Sequence, residues 1–280
     1  MIKVIKLISF ASIMLISLIQ SMENTNQITI QDKIKIPDQI LNLQTSDGNT
    51  LLHSVCMGTQ LANVKHLIQN GAFDQIKSKN SVGMTPLHLA CLWSIPEVVE
   101  ELILWGACPK VADNVGRTAL HFAIARGDLN IPIFEIIHKA FDAMDNNEQI
   151  TTLHKTKISD KILNLQVAGG SPLLHYACMG DRLVSVKYLI NNGALDYIES
   201  KDSAGMTPLH QACLYSTPEV VEELLLWGAS PEVADNVGRT ALHFALVRRD
   251  LNVPILEMLQ KALAARKELK EQGIELENLH

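Results

Sequence analysis

One block of sequence occurs twice in this chain of 280 residues, at a constant offset of 122. Residues 40–44 (ILNLQ) recur as 162–166, and residues 79–140 match 201–262 at 46 of 62 positions. No gap interrupts this alignment. Whatever one block folds into, the chain must therefore build it twice in series.

Each block contains three copies of a shorter motif centred on a histidine. The histidines within a block are 35 and 33 residues apart. The six segments are TLLHSVC (50–56), TPLHLAC (85–91), TALHFAI (118–124), PLLHYAC (172–178), TPLHQAC (207–213) and TALHFAL (240–246). A period of this length is typical of small supersecondary units that bury their apolar faces only by stacking on their neighbours.

One unit reads as helix, turn, helix and loop. Thr85 is placed to cap a helix, and Pro86 at the first helical position sacrifices no intrahelical hydrogen bond. Pro96 marks the start of a second helix, which Gly106 ends because glycine readily adopts the left-handed conformation. We expect Leu87, Ala90 and Cys91 to face the core from the first helix, and Val98, Val99, Leu102 and Ile103 from the second.

These residues resemble the ankyrin repeat, in the TPLHxA start of the first helix, the VVxxLLxxGA second helix and the DxxGxT loop. The resemblance implies an all-α solenoid of stacked helix-turn-helix units joined by loops. It places repeats 1–3 at residues 36–145 and repeats 4–6 at 168–265. Repeats 3 and 6 lack the Gly-Ala pair of the other four, which suggests that each ends a stack.

Two polar segments lie outside the predicted repeats. Residues 146–167 form an insert or linker between the blocks, and residues 266–280, rich in Lys and Glu, are expected to form a polar helical cap. The insert leaves two architectures open. Either it joins two three-repeat stacks, or it bulges from one continuous six-repeat stack.

The first 22 residues are predicted to be a signal peptide or a short N-terminal anchor. Lys3 and Lys6 precede an uncharged apolar run, residues 7–19, which is the order of a secretory signal. That run is shorter than the ~20 residues that cross a bilayer. We therefore expect an exported or secreted protein, with a membrane-anchored protein or a dispensable apolar N-terminus as alternatives. Ankyrin repeats behind such a leader would suit a host-associated bacterium.

Composition argues for a folded protein that does not bind nucleic acid. The chain has 24 Lys and Arg against 30 Asp and Glu, and 47% of its residues are apolar. Intrinsically disordered chains have fewer apolar residues, and proteins that bind duplex DNA or RNA concentrate basic residues on one face.

The sequence also lacks the features of an enzyme. It contains no phosphate-binding or nucleophile-elbow motif, and six repeats leave no room for a catalytic domain. The repeated histidines occur once per unit and so cannot converge on one metal ion. The resemblance instead implies that they form structural hydrogen bonds. We therefore predict a non-catalytic chain with no metal and no cofactor.

Binding of another protein is the function that remains. In the ankyrin arrangement, the first helices line a concave groove and the loop tips project beside it. We expect a monomer that binds its partner through residues of that groove which the core does not require. The candidates are Leu92, Trp93, Arg126, Leu214, Tyr215 and Arg248 on the helices, and Met84, Arg117, Met206 and Arg239 on the loops. Trp93 and Tyr215 occupy equivalent positions in the two blocks, and aromatic residues contribute strongly to binding energy. The alternative is that Trp93 only covers the turn beside it.

Overall fold

The structure of the chain, a computed structural model, describes residues 36–126, 131–146, 158–167, 170–248 and 253–272. The predicted leader lies outside these ranges. Within them the fold is helical, and β structure is limited to two isolated bridges, Gln44 with Thr50 and Ala234 with Thr240. The predicted all-α class is confirmed. No helix in the described ranges is long and apolar enough to cross a bilayer.

Each repeat consists of two α-helices. In chain order their bounds are Leu51–Val55 with Leu61–Gln69, Pro86–Trp93 with Pro96–Leu104, Ala119–Ala125 with Ile131–Asn146, Leu173–Ala177 with Leu183–Asn191, Pro208–Tyr215 with Pro218–Leu226, and Ala241–Val247 with Val253–Glu271. Short helices Asp38–Leu41 and Asp160–Leu163 precede repeats 1 and 4. Single 3-10 helices, Ala72–Lys77 and Ala194–Tyr197, follow the second helices of these same two repeats.

The chain divides into two compact units that correspond to the two sequence blocks. In the described ranges, the first unit contains residues 36–126 and 132–146, and the second contains 158–167, 170–248 and 253–272. Ile162 and Leu163 are buried, although the sequence analysis placed them in the linker 146–167. The second unit therefore begins before residue 168, with an apolar half-turn that packs onto repeat 4.

Helix starts follow the predicted chemistry. Thr85 has the extended backbone of an N-cap, Pro86 opens the helix, and Thr85 and His88 form a reciprocal capping box. The same box forms between threonine and histidine in repeats 1, 3, 5 and 6. In the box the threonine satisfies a backbone N–H of the first turn while the histidine satisfies the N–H of the threonine. Local sequence therefore determines where these first helices begin.

Within each unit, like helices stack on like helices. The first helix of repeat 2 contacts the first helices of repeats 1 and 3, and that of repeat 5 contacts those of repeats 4 and 6. The second helices of neighbouring repeats 1 and 2, 4 and 5, and 5 and 6 likewise pack together. The predicted core residues Leu87, Ala90, Cys91, Val98, Val99, Leu102 and Ile103 are all buried. Stability is therefore a sum of contacts between adjacent repeats.

The final helix runs through the predicted boundary at residue 265. It is the second helix of repeat 6, extended to Glu271, and it packs against the second helix of repeat 5. Arg266 donates a 2.9 Å hydrogen bond to the Gly228 carbonyl, and Lys270 lies 2.7 Å from a carboxylate oxygen of Glu232. Its polar end therefore lies along the flank of repeat 5 and is continuous with repeat 6 rather than a separate cap.

The loop tips of adjacent repeats are joined through backbone hydrogen bonds. The Asn114 N–H donates to the Val82 carbonyl (3.1 Å), and the Asn236 N–H donates to the Ala204 carbonyl (3.0 Å). Gly205 makes this approach possible. It has a positive φ of 78°, and a Cβ added there would lie 2.7 Å from the Asn236 nitrogen. Gly238 has a similar φ of 84°, but a Cβ there would meet nothing within 4 Å.

We therefore predict that Gly205→Ala destabilises the second unit more than Gly238→Ala. Both substitutions force alanine into the left-handed region, at about 1–2 kcal/mol. Only Gly205→Ala also pushes two loops apart, which adds about 1–3 kcal/mol of overpacking. Urea unfolding of the two variants measures the difference. Equal losses would show that the loop contact contributes nothing.

Candidate protein-binding surface

Trp93 and Tyr215 end the first helices of repeats 2 and 5, and both are accessible. Trp93 is 50% exposed and Tyr215 is 56% exposed, while the preceding Leu92 and Leu214 are half-buried. No hydrogen bond to the Trp93 indole or the Tyr215 hydroxyl is found among the described residues. The exposed half of each of these two aromatic side chains is thus not required by the core. We call Leu92 with Trp93, and Leu214 with Tyr215, the aromatic surface of each unit.

The turn beneath each aromatic residue is held by hydrogen bonds between repeats. The Ser94 hydroxyl donates to the Gly58 carbonyl of repeat 1, and the Arg126 guanidinium of repeat 3 donates to the Ser94 carbonyl. The Ser94 side chain thus bridges to the neighbouring turn. The backbone next to Trp93 is therefore fixed from both sides.

The second unit repeats this arrangement. The Ser216 hydroxyl donates to the Gly180 carbonyl, and Arg248 donates to the Ser216 carbonyl. The sequence analysis assigned Arg126 and Arg248 to partner binding, whereas the structure places both guanidinium groups in bonds between repeats. Their position supports the aromatic surface rather than extending it.

Arg117 and Arg239 lie on the loops but are engaged within their own repeats. Each lies 2.7 Å from the carboxylate of the aspartate four residues earlier, and its guanidinium carbon lies 4.7 Å from a phenylalanine ring centre. Burial would raise the pKa of Asp113, but hydrogen bonds from the Arg117 backbone and side chain outweigh it and lower that pKa. The ion pair and the ring contact therefore hold each guanidinium in a fixed orientation, with one edge partly exposed.

Met84 and Met206 are interior residues. Both side chains are 8% exposed, although the sequence analysis placed them among the loop residues that contact a partner. Their carbonyls accept hydrogen bonds from His53 Nε2 (3.0 Å) and His175 Nε2 (2.8 Å). The methionines immediately precede the capping threonines of repeats 2 and 5, and loop position alone therefore did not predict their exposure.

Other exposed apolar residues were missed by the sequence analysis. Val115 and Val237 lie at the loop tips, 47% and 72% exposed, and Leu104 and Leu226 lie on the second helices, 74% and 76% exposed. The two leucines follow directly after the buried stripe of their helix and fall outside its three- and four-residue spacing. Their position outside this spacing is the sequence feature that could have predicted their exposure.

Trp105 and Trp227 are the C-cap residues of the second helices of repeats 2 and 5. Each indole donates a 2.8 Å hydrogen bond to the glutamate one turn earlier, Glu101 or Glu223. Trp105 also meets Phe73 edge-on, with ring centres 6.3 Å apart. Both tryptophans are half-buried by these contacts.

The repeated histidines form a ladder of hydrogen bonds. In repeat 2, His88 Nδ1 accepts from the Thr85 N–H (2.9 Å), and its Nε2 donates to the Val111 carbonyl (3.0 Å). Repeats 1, 4 and 5 also use Nε2 to reach a carbonyl of the next repeat's loop region. This pattern requires neutral imidazole, and burial lowers the pKa of His88 to about 4. No cluster of metal-ligating side chains occurs in the described ranges.

The repeated cysteines pack as small apolar groups. Cys56, Cys91, Cys178 and Cys213 are fully buried, and burial raises the pKa of each thiol. None is joined in a disulfide, and the fifth, Cys108, is half-buried. Protonated thiols in the helix contacts have no nucleophilic character.

Comparison with known sequences matches the family described as "Ankyrin repeats (3 copies)", at residues 18–113, 137–235 and 174–271. The nuclear factor NF-kappa-B p105 subunit of Gallus gallus is 28% identical over 68% of this chain and 21% of its own length. NF-kappa-B inhibitor delta of Mus musculus is 29% identical over 75% of this chain and 65% of its own. The chain thus spans less than two thirds of these relatives.

Two solved structures have a similar fold. The human ASB11 ankyrin repeat domain superposes with a TM-score of 0.52 at 26% identity, over 78% of this chain and 86% of its own. The other structure is a chain from the complex of the Bdellovibrio bacteriovorus predatory endopeptidase Bd0816 with immunity protein Bd3460. It superposes with a TM-score of 0.53 at 22% identity, over 78% of this chain and 99% of its own. The second similarity is one of fold alone.

The histidine ladder makes stability depend on pH. Because the folded pKa of His88 lies below the ~6.5 of an unfolded chain, the unfolded state takes up the proton first as the pH falls. Stability is full above pH 6.5 and is lost between 6.5 and 4, with His88 alone contributing about 2 kcal/mol of loss by pH 4.5. Guanidinium unfolding at pH 7 and 4.5 measures the loss.

The matched variants are His88→Asn and His243→Asn. The first should reduce the difference between the two pH values, whereas the second changes the same capping box on an exposed face and should retain it. A pH dependence unchanged by His88→Asn would contradict the ladder's role.

Proposed function

The chain belongs to the ankyrin-repeat family, and from that premise we propose that it is a non-catalytic scaffold that binds a partner protein through its first helices and loop tips. Ankyrin repeats support a role in protein–protein interaction, and the fold is typically non-catalytic. The observation that carries the finer proposal is the exposure of Trp93 and Tyr215 at equivalent positions of the two units. Their surroundings suit binding, as follows.

The aromatic surface is preorganised. Side-chain hydrogen bonds from repeats on both sides fix the turns after Trp93 and Tyr215, so a partner meets a backbone that is already ordered. Preorganisation lowers the entropy cost of association. Half-exposed tryptophan and tyrosine offer a large apolar contact area with few rotatable bonds, which is why such residues dominate interface energetics.

The charges near this surface favour an apolar or weakly polar partner segment. Arg117 and Arg239 are already neutralised by Asp113 and Asp235, so they offer oriented guanidinium edges without excess charge. Arg126 donates to the Ser94 carbonyl, which fixes the position of its guanidinium but leaves its charge in place. Aromatic contact therefore supplies most of the proposed affinity.

We predict that Trp93→Ala with Tyr215→Ala abolishes partner capture while the protein stays folded. Each aromatic should contribute about 2 kcal/mol, or roughly 30-fold in affinity. Because both side chains are half-exposed, the stability cost should stay near 1 kcal/mol. Affinity purification with wild type and the double variant, followed by binding measurements on the captured protein, tests this.

Leu104→Ala with Leu226→Ala is the matched control, since it removes equally repeated and more exposed side chains from the second helices. It should retain the partner. Unchanged capture by a folded Trp93/Tyr215 variant would refute binding at the aromatic surface. Loss of capture only in the leucine variant would move the site to the second helices.

We also propose that the protein is exported, with a membrane-anchored adaptor as the alternative. The support is the order of Lys3, Lys6 and the apolar run 7–19. Expression in a bacterial secretion host followed by N-terminal sequencing should give a mature start near residue 22. An intact Met1 in the membrane fraction would instead support the anchor. Lys3→Glu with Lys6→Glu should block export, whereas Lys33→Glu with Lys35→Glu should not.

A further inference from the structure

Repeat 6 ends the second unit with an apolar face that is exposed among the described residues. Leu246 is 61% exposed, Val247 is 74% exposed, Leu242 is half-buried, and His243 is exposed. We call these four residues the end face. The outermost repeats of stacked proteins usually carry polar residues at this place, because no further repeat packs there. An apolar end face is therefore unusual, and it indicates a surface that another chain segment covers.

Three of the four counterparts in repeat 3 are buried. Leu120 and His121 are 0% exposed and Ile124 is 3% exposed, while Ala125 is half-buried. The two first helices begin almost identically, with TALHFAI at 118–124 and TALHFAL at 240–246. The sequence of repeat 6 is thus that of a repeat whose outer face is covered, placed where the face is open.

His243 also differs in its hydrogen bonds from the histidines of repeats 1, 2, 4 and 5. Its Nδ1 forms the capping box with Thr240, whose Oγ1 lies 2.9 Å away, as in the other boxes. In repeats 1, 2, 4 and 5 the Nε2 also bonds a carbonyl of the following repeat. Nε2 of His243 has no such acceptor among the described residues, and the exposed ring is accessible to a partner that binds the end face.

The beginning of the described chain shows the complementary feature. Leu43 is 52% exposed and Ile40 is half-buried, whereas their counterparts Leu165 and Ile162 are half-buried and 0% exposed. The surrounding sequence is identical in both places, ILNLQ at 40–44 and 162–166. Leu43 in the first unit and Leu246 in the second are therefore more exposed than their counterparts Leu165 and Ile124.

We propose that the end face of repeat 6 binds residues 36–44 of a second copy of this chain. In the sequence, repeat 3 is followed by the second copy of that segment, and another molecule supplies the same residues to repeat 6. The contact joins two different surfaces, so it is heterologous and can propagate into linear chains. The proposal departs from the monomer expected from sequence and involves neither Trp93 nor Tyr215.

Sedimentation velocity of the full chain over a range of concentrations tests this. Wild type should exceed its monomer mass of 30.9 kDa as concentration rises. Leu246→Glu and Leu43→Glu should each weaken self-association by more than about tenfold, because an unpaired carboxylate would be buried in the contact. Mixed together, the two variants should form dimers and nothing larger, because each retains one intact end.

The control is Leu226→Glu, which places the same charge at a more exposed leucine on another face of the second unit and should leave self-association unchanged. A wild type that stays monomeric to about 1 mM overturns the proposal. So does a self-association that Leu246→Glu removes and Leu43→Glu leaves intact, since the end face would then pair with itself. A chain truncated after Gln272 that associates far more strongly than the full chain would show that residues 273–280 cover the face, which also overturns it.

Discussion

In repeats 1, 2 and 5 a single imidazole joins the start of its own helix to the next repeat, and this double contact couples folding to stacking. Nδ1 of His88 caps the start of its own helix, while Nε2 reaches the Val111 carbonyl of the next repeat's loop. Local helix formation and stacking are therefore coupled through a single neutral ring. In a hairpin that forms alone the Nε2 donor bonds water, and stacking of the next repeat replaces that water with a carbonyl, so the buried donor stays paired.

Features set by local chemistry were predictable from sequence, and features set by contacts 30 residues away were not. Thr85 and Pro86 specify a helix start from neighbouring residues alone, and the buried stripe of the second helix follows from its periodicity. Arg126 looked like a groove residue because its acceptor, the Ser94 carbonyl, lies 32 positions earlier and is invisible to periodicity. Met84 was misplaced for a similar reason, since the path of its loop is set by a bond from His53. Trp93 and Tyr215 were correctly expected to be accessible, although their binding role stays a prediction.

The two blocks differ at several positions that carry buried polar groups. Pro172 replaces Thr50, so buried His175 lacks a cap partner and its Nδ1 has no hydrogen bond among the described residues. A buried polar atom without a hydrogen-bond partner typically lowers the free energy of unfolding by about 1–3 kcal/mol. Nearby, Gln211 replaces Leu89 and donates a 3.1 Å bond to Asp202, which replaces Asn80. The contact between repeats 4 and 5 therefore buries two polar atoms without hydrogen-bond partners among the described residues, His175 Nδ1 and Gln211 Oε1. We expect the second unit to open there first.

Partner binding and self-association use different surfaces of a repeat, so the two can be separated by mutation. Trp93 and Tyr215 point away from helices held by neighbours on both sides, whereas the end face lies in the direction in which further repeats would be added. A charge at Leu246 can therefore block self-association without disturbing the turn beneath Tyr215, which Ser216 and Arg248 hold. Were copies joined end to end, each would add two more aromatic surfaces to one particle. Modest affinity at each surface would then combine into much tighter binding of a partner with repeated sites.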